Sequence, residues 1–325
     1  MSPQSVSSVV LQRSVECISC ASMKPLFHIG YHKTGTTFLQ RSVFPKPEFS
    51  LVAKTRALWP SFVQVDPFTF DAETAHEVFR PGIEEAAKQG LVPVLSAERL
   101  SGNPHSGGYD SVQIAERIAA AFPEARVLVV IREQTEMLIS AYKQYLKKGG
   151  PGTLWQYAAP PSDVPRVPLF DLRFFEYHRL VGLYHRLFGP ENVLVLPFEM
   201  LKNRPRAFLK RIGDFAGATV VTPQFKPLSV SQSALSLAFK RRANRWVVRD
   251  TLNPAPPFEV EKINGRLLKL CTVADSKIPA SLRERSERHL REIAQEIVDN
   301  RYVESNAMTA ELTKLELHSF GYACQ

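Results

Sequence analysis

The chain has 325 residues, of which 44% are hydrophobic and 22% are charged. These fractions are those of an ordinary globular protein and exclude a disordered chain, a collagen and a coiled-coil rod. Lys and Arg number 41 against 32 Asp and Glu, and the resulting net charge of +9 favours an anionic partner such as nucleic acid, lipid headgroups or a phosphorylated small molecule.

The N-terminal segment carries no secretory signal pattern, because its one short apolar patch, residues 9–11, is followed closely by Arg13. We expect residues 1–23 to form a disordered leader, with Met23 as an alternative start, and residues 24–322 to form a single domain. No run of 18 apolar residues occurs along the chain, so we expect no transmembrane helix.

The four cysteines are too few for a disulfide framework. Cys17 and Cys20 form a CxxC pair, but a structural zinc site takes four ligands and the chain has no second such pair. We therefore expect no bound metal and a reducing, cytoplasmic environment.

Short apolar runs alternate with helical patterns along the first 200 residues. Strands are predicted at residues 26–30, 49–53, 92–96, 126–131 and 192–196, and helices at 36–44, 74–89, 111–122, 135–148 and 172–188. Strands rich in Val, Ile and Leu that alternate with helices indicate a parallel sheet with helices on both faces. The predicted fold class is therefore α/β, with a P-loop-type parallel sheet of about five strands.

The rest of the chain is predicted to be a helical addition, and it carries the charge excess. Helices are predicted at 205–215, 231–248, 261–270 and 280–298, and the Pro-rich stretches 151–168 and 253–257 are predicted to be loops. Residues 201–301 hold 20 Lys and Arg against 10 Asp and Glu, whereas residues 1–200 hold 20 against 19. This region is a candidate to close over a nucleotide, or to meet an acidic acceptor or a membrane surface in peripheral contact.

The junction between the first strand and the first helix, FHIGYHKTGTTFL at residues 27–39, is the most informative segment. A strand that passes through a Gly- and Thr-rich loop into a helix directs free backbone N–H groups and the positive end of the helix dipole to one point. Such a point binds anions. Gly35 permits close approach of the backbone, Lys33 supplies a charge, and Thr36 and Thr37 supply hydroxyl donors.

This loop differs from a Walker A loop, because Lys33 precedes Gly35 instead of following the glycine. A magnesium site also needs an acidic residue after a neighbouring strand, and strand 126–131 is followed by Arg132. A cation there indicates a second anionic group, to which Ser140 on the next helix can add a hydroxyl. A P-loop kinase or NTPase remains the alternative. A nucleic-acid-binding protein is suggested by charge alone, without a recognition motif.

Together these segments resemble the sulfotransferases that use 3′-phosphoadenosine 5′-phosphosulfate (PAPS). YHKTGTTFLQ at 31–40 is similar to that family's 5′-phosphosulfate loop, commonly PKSGTTWL, and VIREQTEMLISAY at 130–142 is similar to its 3′-phosphate motif, R-x7-S-x-Y. Residues 188–201 are similar to the strand and E-x-L turn that the family has before its next helix, and residues 302–322 are similar to the C-terminal segment of bacterial members. His32, Gln134 and Met137 depart from the commonest versions of the motifs.

The resemblance covers about residues 24–322 and implies the activity and the site. PAPS is the implied donor, adenosine 3′,5′-bisphosphate (PAP) the product, and a hydroxyl or amine on a small molecule or glycan the acceptor, with a glycan or glycolipid preferred. No metal and no nucleic acid are implied. The implied donor-binding residues are Lys33, Thr34, Gly35, Thr36, Thr37, Arg132 and Ser140.

The reaction also needs a stabiliser of the leaving phosphate and a base for the acceptor proton. Lys33 is predicted to be the stabiliser, and Glu98, which follows the strand 92–96, is the predicted base; His32, His105 and His76 are the alternatives. His28 lies inside a strand and is predicted to be a core histidine. Acceptor specificity is assigned to the loops 62–70, 101–109 and 149–168, and the basic run 240–242 is a candidate for the nucleotide or for a solvated helix face.

Overall fold

The computed structural model describes residues 23–45, 47–160, 168–220, 232–250, 253, 255–258 and 263–324. The expected leader and the CxxC pair lie outside these residues, apart from Met23. One parallel sheet organises the chain, with strands β1 Leu26–His28, β2 Phe49–Lys54, β3 Val92–Ser96, β4 Arg126–Ile131 and β5 Val193–Pro197 in the order β2-β3-β1-β4-β5. The five predicted strands and their parallel arrangement are confirmed.

Helices cover both faces of this sheet. The α-helices of the described residues are α1 Thr36–Phe38, α2 Thr55–Leu58, α3 Ala72–Lys88, α4 Ser111–Ala121, α5 Gln134–Lys148, α6 Leu154–Ala158, α7 Tyr177–Phe188, α8 Phe198–Asn203, α9 Pro205–Ala216, α10 Ala234–Val247, α11 Ile263–Lys277, α12 Ala280–Val298 and α13 Val303–Thr313. A π-helical turn, Leu39–Val43, continues α1, and a second, Trp59–Val63, continues α2.

The alternation of side chains along the strands produces two cores. On β4, Val127, Val129 and Ile131 face one core, while Leu128 and Val130 face the other. All five side chains are fully buried. Continuous apolar strands are what a sheet covered on both faces requires, which is why the sequence pattern located them well.

One helix prediction and one loop prediction need correction. Residues 172–188 form a 3₁₀ turn, Leu172–Phe175, and then α7, because Glu176 leaves the helical conformation between them. The break lets Phe175 and Tyr177 both reach the core, where both are fully buried. The predicted loop 151–168 contains α6, which begins at a capping box formed by Thr153 and Gln156; residues 161–167 lie outside the described chain.

The C-terminal helices pack on α5 and on one another, which agrees with the predicted helical addition. Helix α11 extends to Lys277, seven residues beyond the predicted end. Asp275 at that end accepts hydrogen bonds from the backbone N–H and hydroxyl of Ser233, at the start of α10. The extra turns therefore supply an acceptor for α10.

Candidate functional site

The loop after β1 is shaped by two residues in the left-handed region of backbone conformation, Lys33 with φ 68° and Gly35 with φ 90°. A Cβ atom at Gly35 would lie 3.0 Å from Leu201 and 3.1 Å from Phe198, so glycine is needed both for conformation and for space. The Thr34 hydroxyl donates to the Tyr31 carbonyl oxygen at 2.5 Å. The loop is thus held from inside while Lys33 is exposed.

Arg132 follows β4 and is fixed against this loop. Its Nη1 donates to the Lys33 carbonyl oxygen at 3.3 Å and its Nη2 to Glu136 at 3.0 Å, and its guanidinium lies 5.3 Å from the centre of the Phe198 ring. The Tyr177 hydroxyl donates to the Arg132 carbonyl oxygen at 2.5 Å. The two predicted anion-binding segments therefore meet at the carboxyl edge of the sheet, as expected for a parallel α/β fold.

A cavity of about 480 Å³ opens between these segments. Seven of the predicted site residues line it: Lys33, Gly35, Thr36, Thr37, Glu98, Arg132 and Ser140. Four further cations line it, namely Lys143, Lys147, Lys202 and Arg291, together with the carboxylates of Glu136 and Glu287. Within the described residues the lining thus holds six Lys and Arg against three Glu, and the cavity is electropositive.

Three buried polar atoms on this lining have no partner at hydrogen-bond distance within the described residues. Arg132 Nε is a buried donor and Gln144 Oε1 a buried acceptor, and neither makes a hydrogen bond within the described residues. Thr36 Oγ1 has no partner at hydrogen-bond distance either, but it lies close enough to the Glu98 carboxyl group to lower the pKa of that group. Buried polar atoms are normally paired, so an unpaired donor such as Arg132 Nε on a cavity wall indicates a ligand that accepts hydrogen bonds. The first backbone N–H groups of the helical turn that begins at Thr36 have no partner inside that turn either. The donor set fits an anion.

Glu98 stands on the side of the cavity near the predicted acceptor loops. It begins the 3₁₀ turn that follows β3, and its Oε1 lies 3.9 Å from His32 Nε2. Burial raises the pKa of Glu98 above its usual range, and the Lys33 charge opposes that rise. A raised pKa makes the Glu98 carboxylate a stronger base than an exposed carboxylate.

The two histidines near Glu98 are held neutral. Burial first, and then the charges of His105 and Arg99, lower the pKa of His32 to about 3. Burial likewise lowers the pKa of His105 to about 4, and its Nδ1 lies 2.9 Å from the Tyr157 hydroxyl. His32 does not line the cavity. At pH 7 both imidazoles are hydrogen-bonding groups without charge.

Other candidates from the sequence lie elsewhere. The Thr34 side chain is fully buried and does not reach the cavity, so its hydroxyl supports the loop instead of binding a ligand. His28 is a core histidine as predicted, with Nδ1 2.8 Å from the Ser96 hydroxyl. His76 stacks on Phe122, with ring centres 5.0 Å apart, and is not on the cavity wall.

Lys240, the first residue of the basic run 240–242, forms hydrogen bonds that connect helices. Its side chain is fully buried, and Nζ donates to the Leu146 carbonyl oxygen at 3.0 Å and to the side-chain oxygens of Asn244 and Asn264. None of residues 240–242 lines the cavity. The run therefore does not supply the cavity, and Lys240 ties α10 and α11 to the C-terminal end of α5.

The sequence reasoning missed several cavity residues. Glu136, Ser140, Lys143 and Lys147 recur at spacings of four, three and four on α5, so one helix face carries them all. This helical spacing can be seen in the sequence that follows Arg132. Arg291 gave no local signal, because it reaches the cavity from α12 only through tertiary packing.

Two contacts explain the softer motif similarities. Glu199 accepts from the Glu133 backbone N–H at 3.2 Å and from the Tyr322 hydroxyl at 3.1 Å, which joins α8 and the C-terminal segment to the start of α5. Gln134, a departure from the commonest motif, is buried and donates to Asn306 Oδ1 at 2.6 Å. These residues position the cavity without lining it.

Within the described residues, no helix is long and apolar enough to cross a bilayer. The same residues contain no group of three or more His, Cys, Asp or Glu side chains placed to hold a metal ion.

Comparison with known proteins gives a consistent family. The profile of the sulfotransferase family matches residues 25–223, more than half of the chain. Among solved structures, a sulfotransferase from Alicyclobacillus acidocaldarius is 18% identical over 68% of this chain and 93% of its own, with a TM-score of 0.47. A comparison with curated proteins finds no match.

Two more solved structures are similar at lower scores. A sulfotransferase domain from the curacin biosynthetic pathway is 12% identical over 77% of this chain and 97% of its own, with a TM-score of 0.38. A mouse sulfotransferase complexed with PAP is 14% identical over 91% of this chain and 90% of its own, with a TM-score of 0.36.

Proposed function

Because the chain belongs to the sulfotransferase family, we propose that it moves the sulfuryl group of PAPS to a hydroxyl or amine acceptor in the cavity after β1. The observation that carries the proposal is the electropositive cavity, in which Lys33 and Arg132 meet and the buried Arg132 Nε has no hydrogen-bond partner within the described residues. A donor with several anionic groups fits such a site better than a neutral ligand does.

The donor would be held by residues from both segments. Lys33, Gly35, Thr36 and Thr37 would hold its 5′ side through one charge, two hydroxyls and the free N–H groups of the turn. Arg132, with its unpaired Nε, and Ser140 would hold the 3′-phosphate. When bound, PAPS supplies an activated sulfuryl group on a phosphate leaving group. Lys33 is placed to stabilise negative charge on that leaving group.

Glu98 is the proposed base for the acceptor proton. It lines the same cavity as Lys33, and its raised pKa makes it a stronger base than an exposed carboxylate. His32 is neutral and its Nε2 lies 3.9 Å from Glu98 Oε1, so it does not compete with Lys33 as a charged partner of the carboxyl group. A cation and a base on one wall are the two chemical functions that group transfer requires.

The proposed acceptor is a sugar hydroxyl on a glycan or glycolipid. His105 and Tyr157 join two of the loops to which specificity was assigned, 101–109 and 149–168. The neutral His105 offers a buried, unpaired Nε2 on this side of the molecule. Uncharged hydrogen-bonding groups are better suited to bind a polyhydroxylated acceptor than to bind a cationic acceptor.

Thermal-shift titration tests the donor assignment. We expect PAP in the presence of a chelator to raise the melting temperature in a concentration-dependent way, because a ligand that binds the folded state stabilises it. Lys33→Met and Arg132→Gln should each abolish the shift. Lys210→Met, an exposed lysine on α9 paired with Asp214, is the matched control and should retain it. A response to ATP with magnesium and none to PAP would contradict the proposal in favour of a kinase or NTPase.

Turnover with PAPS tests the base. Glu98→Gln keeps the size of the side chain but cannot accept the proton, so we expect a loss of about two to four powers of ten in kcat with little change in PAP binding. In the native enzyme kcat should rise with pH through the raised pKa of Glu98, because the deprotonated form is active. This rise of kcat with pH should be absent in Glu98→Gln. If turnover in Glu98→Gln is unchanged, Glu98 is not the base.

A further inference from the structure

Helix α10 exposes aromatic and basic side chains together. Phe239 is 56% exposed and Trp246 55% exposed, and the exposed Arg242 lies between them at helical spacing. The opposite side of α10 is the packed one, where Leu237 and Asn244 are fully buried. The exposed side of α10 therefore points away from the protein core.

Helix α11 shows the same division more strongly. Leu270 is 67% exposed and Val273 61% exposed, and none of the fifteen residues of this helix is buried. Its inner side bonds to the protein through Asn264, which donates to the Lys147 carbonyl oxygen at 3.2 Å, and through Asp275. The outer side carries a row at helical spacing that includes both apolar residues, namely Arg266, Lys269, Leu270, Val273 and Lys277.

We name the eight outward residues of the two helices the basic–apolar face: Phe239, Arg242, Trp246, Arg266, Lys269, Leu270, Val273 and Lys277. Four are large and apolar, four are cations and none is acidic. Among the residues that the structure describes, none of these four cations forms an ion pair, whereas Lys143 pairs with Glu287 and Arg291 with Glu136. As far as the described residues show, the face thus presents positive charge without an acidic partner next to exposed apolar surface.

Surface hydrophobic residues scattered singly are ordinary, but rows interleaved with unpaired cations are not. Apolar side chains that enter the headgroup region, surrounded by Lys and Arg that reach anionic headgroups, are typical of helices lying on a bilayer. We propose that the basic–apolar face binds peripherally to an anionic lipid bilayer. This proposal does not depend on the proposed sulfuryl transfer, because the face shares no residue with the cavity.

Charge favours this occupant over two others. A second copy of the same face would bring four cations against four cations, which opposes self-association. A single-stranded nucleic acid would engage the cations and could stack on Phe239 and Trp246, but it would leave the aliphatic side chains of Leu270 and Val273, 67% and 61% exposed, in water. A bilayer satisfies both the charges and the apolar side chains.

Co-sedimentation of the full chain with vesicles tests the proposal. We expect binding to phosphatidylcholine vesicles that contain phosphatidylglycerol, little binding to phosphatidylcholine alone, and loss of binding at high salt. Lys269→Gln should lower the partition coefficient about fivefold, the value of one cation near an anionic surface. Leu270→Gln should also lower it, because an apolar side chain no longer enters the interface. Both positions are exposed, so the fold should persist, and unchanged melting temperatures check this.

Matched controls lie outside the face. Lys210→Gln removes an equally exposed cation on α9, and Phe68→Gln removes an apolar side chain that is 98% exposed. Neither should change vesicle binding. If these controls weaken binding as much as the face variants do, the attraction is a property of net charge and general hydrophobicity, and the proposal is overturned.

Trp246 gives a direct readout of contact. The chain has three tryptophans, so Trp59→Phe with Trp155→Phe leaves Trp246 as the single emitter. Its emission should shift to shorter wavelength on addition of anionic vesicles and not on addition of an oligonucleotide. No vesicle shift, a shift with the oligonucleotide instead, or dimerisation that Leu270→Gln abolishes would each overturn the proposal.

Discussion

The cavity after β1 and the basic–apolar face present cations in opposite ways. In the cavity, six Lys and Arg from α5, α8, α12 and two loops converge on a concave space. On the face, four cations project outward from α10 and α11 beside exposed apolar groups. A concave, partly buried arrangement strengthens the field at one point, whereas outward side chains are screened by solvent and salt.

The regional charge alone would have pointed to the wrong place for the cavity. Residues 201–301 hold the whole excess, 20 Lys and Arg against 10 acids, but among the described cations of that region only Lys202 and Arg291 reach the cavity. Lys33 and Arg132 come from the nearly neutral first 200 residues. The position of a cation in the fold therefore decides whether it lines the cavity, and the number of cations in a region does not.

The largest expected effect separates the two regions by activity. Lys33→Met should lower kcat by about 10²–10³, the usual effect of removing one stabiliser of developing negative charge. Lys269→Met on the basic–apolar face should leave the turnover of a water-soluble acceptor unchanged. Initial rates with PAPS measure both, and melting temperatures check that the variants are folded.

Equal losses of kcat in Lys33→Met and Lys269→Met would contradict the distinction between the cavity and the basic–apolar face. They would mean that the cations act through the net field of the protein, and the converging geometry at Lys33 would then carry no special weight. Restoration of activity in Lys33→Arg would point the other way, towards a requirement for charge at that position.

The sheet and the loop that forms the cavity could be predicted from the sequence, because short local patterns encode both. The five strands are continuous apolar runs, and the loop from Lys33 to Thr37 joins a strand directly to a helix, so pattern alone predicted both. Arg132 was found because it ends such a run. The helical spacing of Ser140 and Lys143 also predicts that they share one face of α5, although the sequence analysis assigned only Ser140 to the site.

The remaining features depend on tertiary packing. Arg291 enters the cavity because α12 lies against α5, and no local pattern encodes that contact. Lys240 belonged to a basic run that is typical of a solvated face, yet its neighbours bury it completely. The Thr34 hydroxyl points inward because it donates a hydrogen bond to the Tyr31 carbonyl oxygen. Side-chain direction is set by the assembled fold, so such assignments need a structure.

A second, intermediate effect concerns Lys240, the cation that serves neither region directly. Its Nζ has three oxygen partners and no counter-ion within the described residues. Lys240→Met removes the donor from buried oxygens, so the free energy of unfolding should fall by about 1–3 kcal/mol. Urea denaturation at pH 7 measures this, with exposed Lys210→Met as the control.

The pH dependence of that effect has a defined sign. Burial lowers the pKa of Lys240 from 10.5 to about 8, so between those values the unfolded chain binds a proton that the folded protein has released. The free energy of unfolding of the native protein relative to Lys240→Met should therefore rise with pH in this window. A difference that stays constant or falls would show that Lys240 keeps its charge in the folded state.

The smallest expected effect sharpens the comparison inside the cavity itself. Glu136 accepts hydrogen bonds from Arg132 at 3.0 Å and from Arg291 at 2.5 Å, so one carboxylate neutralises two guanidiniums that face the donor site. An anionic ligand must compete with that carboxylate. Glu136→Gln keeps the shape and removes the charge, and we expect PAP to bind about three- to tenfold more tightly, equivalent to a Coulomb change of about 1 kcal/mol.

Calorimetric titration with PAP distinguishes this electrostatic role from a positioning role. If Glu136 mainly holds the two guanidiniums in place, Glu136→Gln will weaken PAP binding instead, because the arginines lose their shared partner. Glu116→Gln, on α4 and outside the cavity, should leave the affinity unchanged. Tighter binding in Glu136→Gln alone would show that cavity cations are partly neutralised before the donor arrives, whereas the unpaired cations of the basic–apolar face have no such internal competitor.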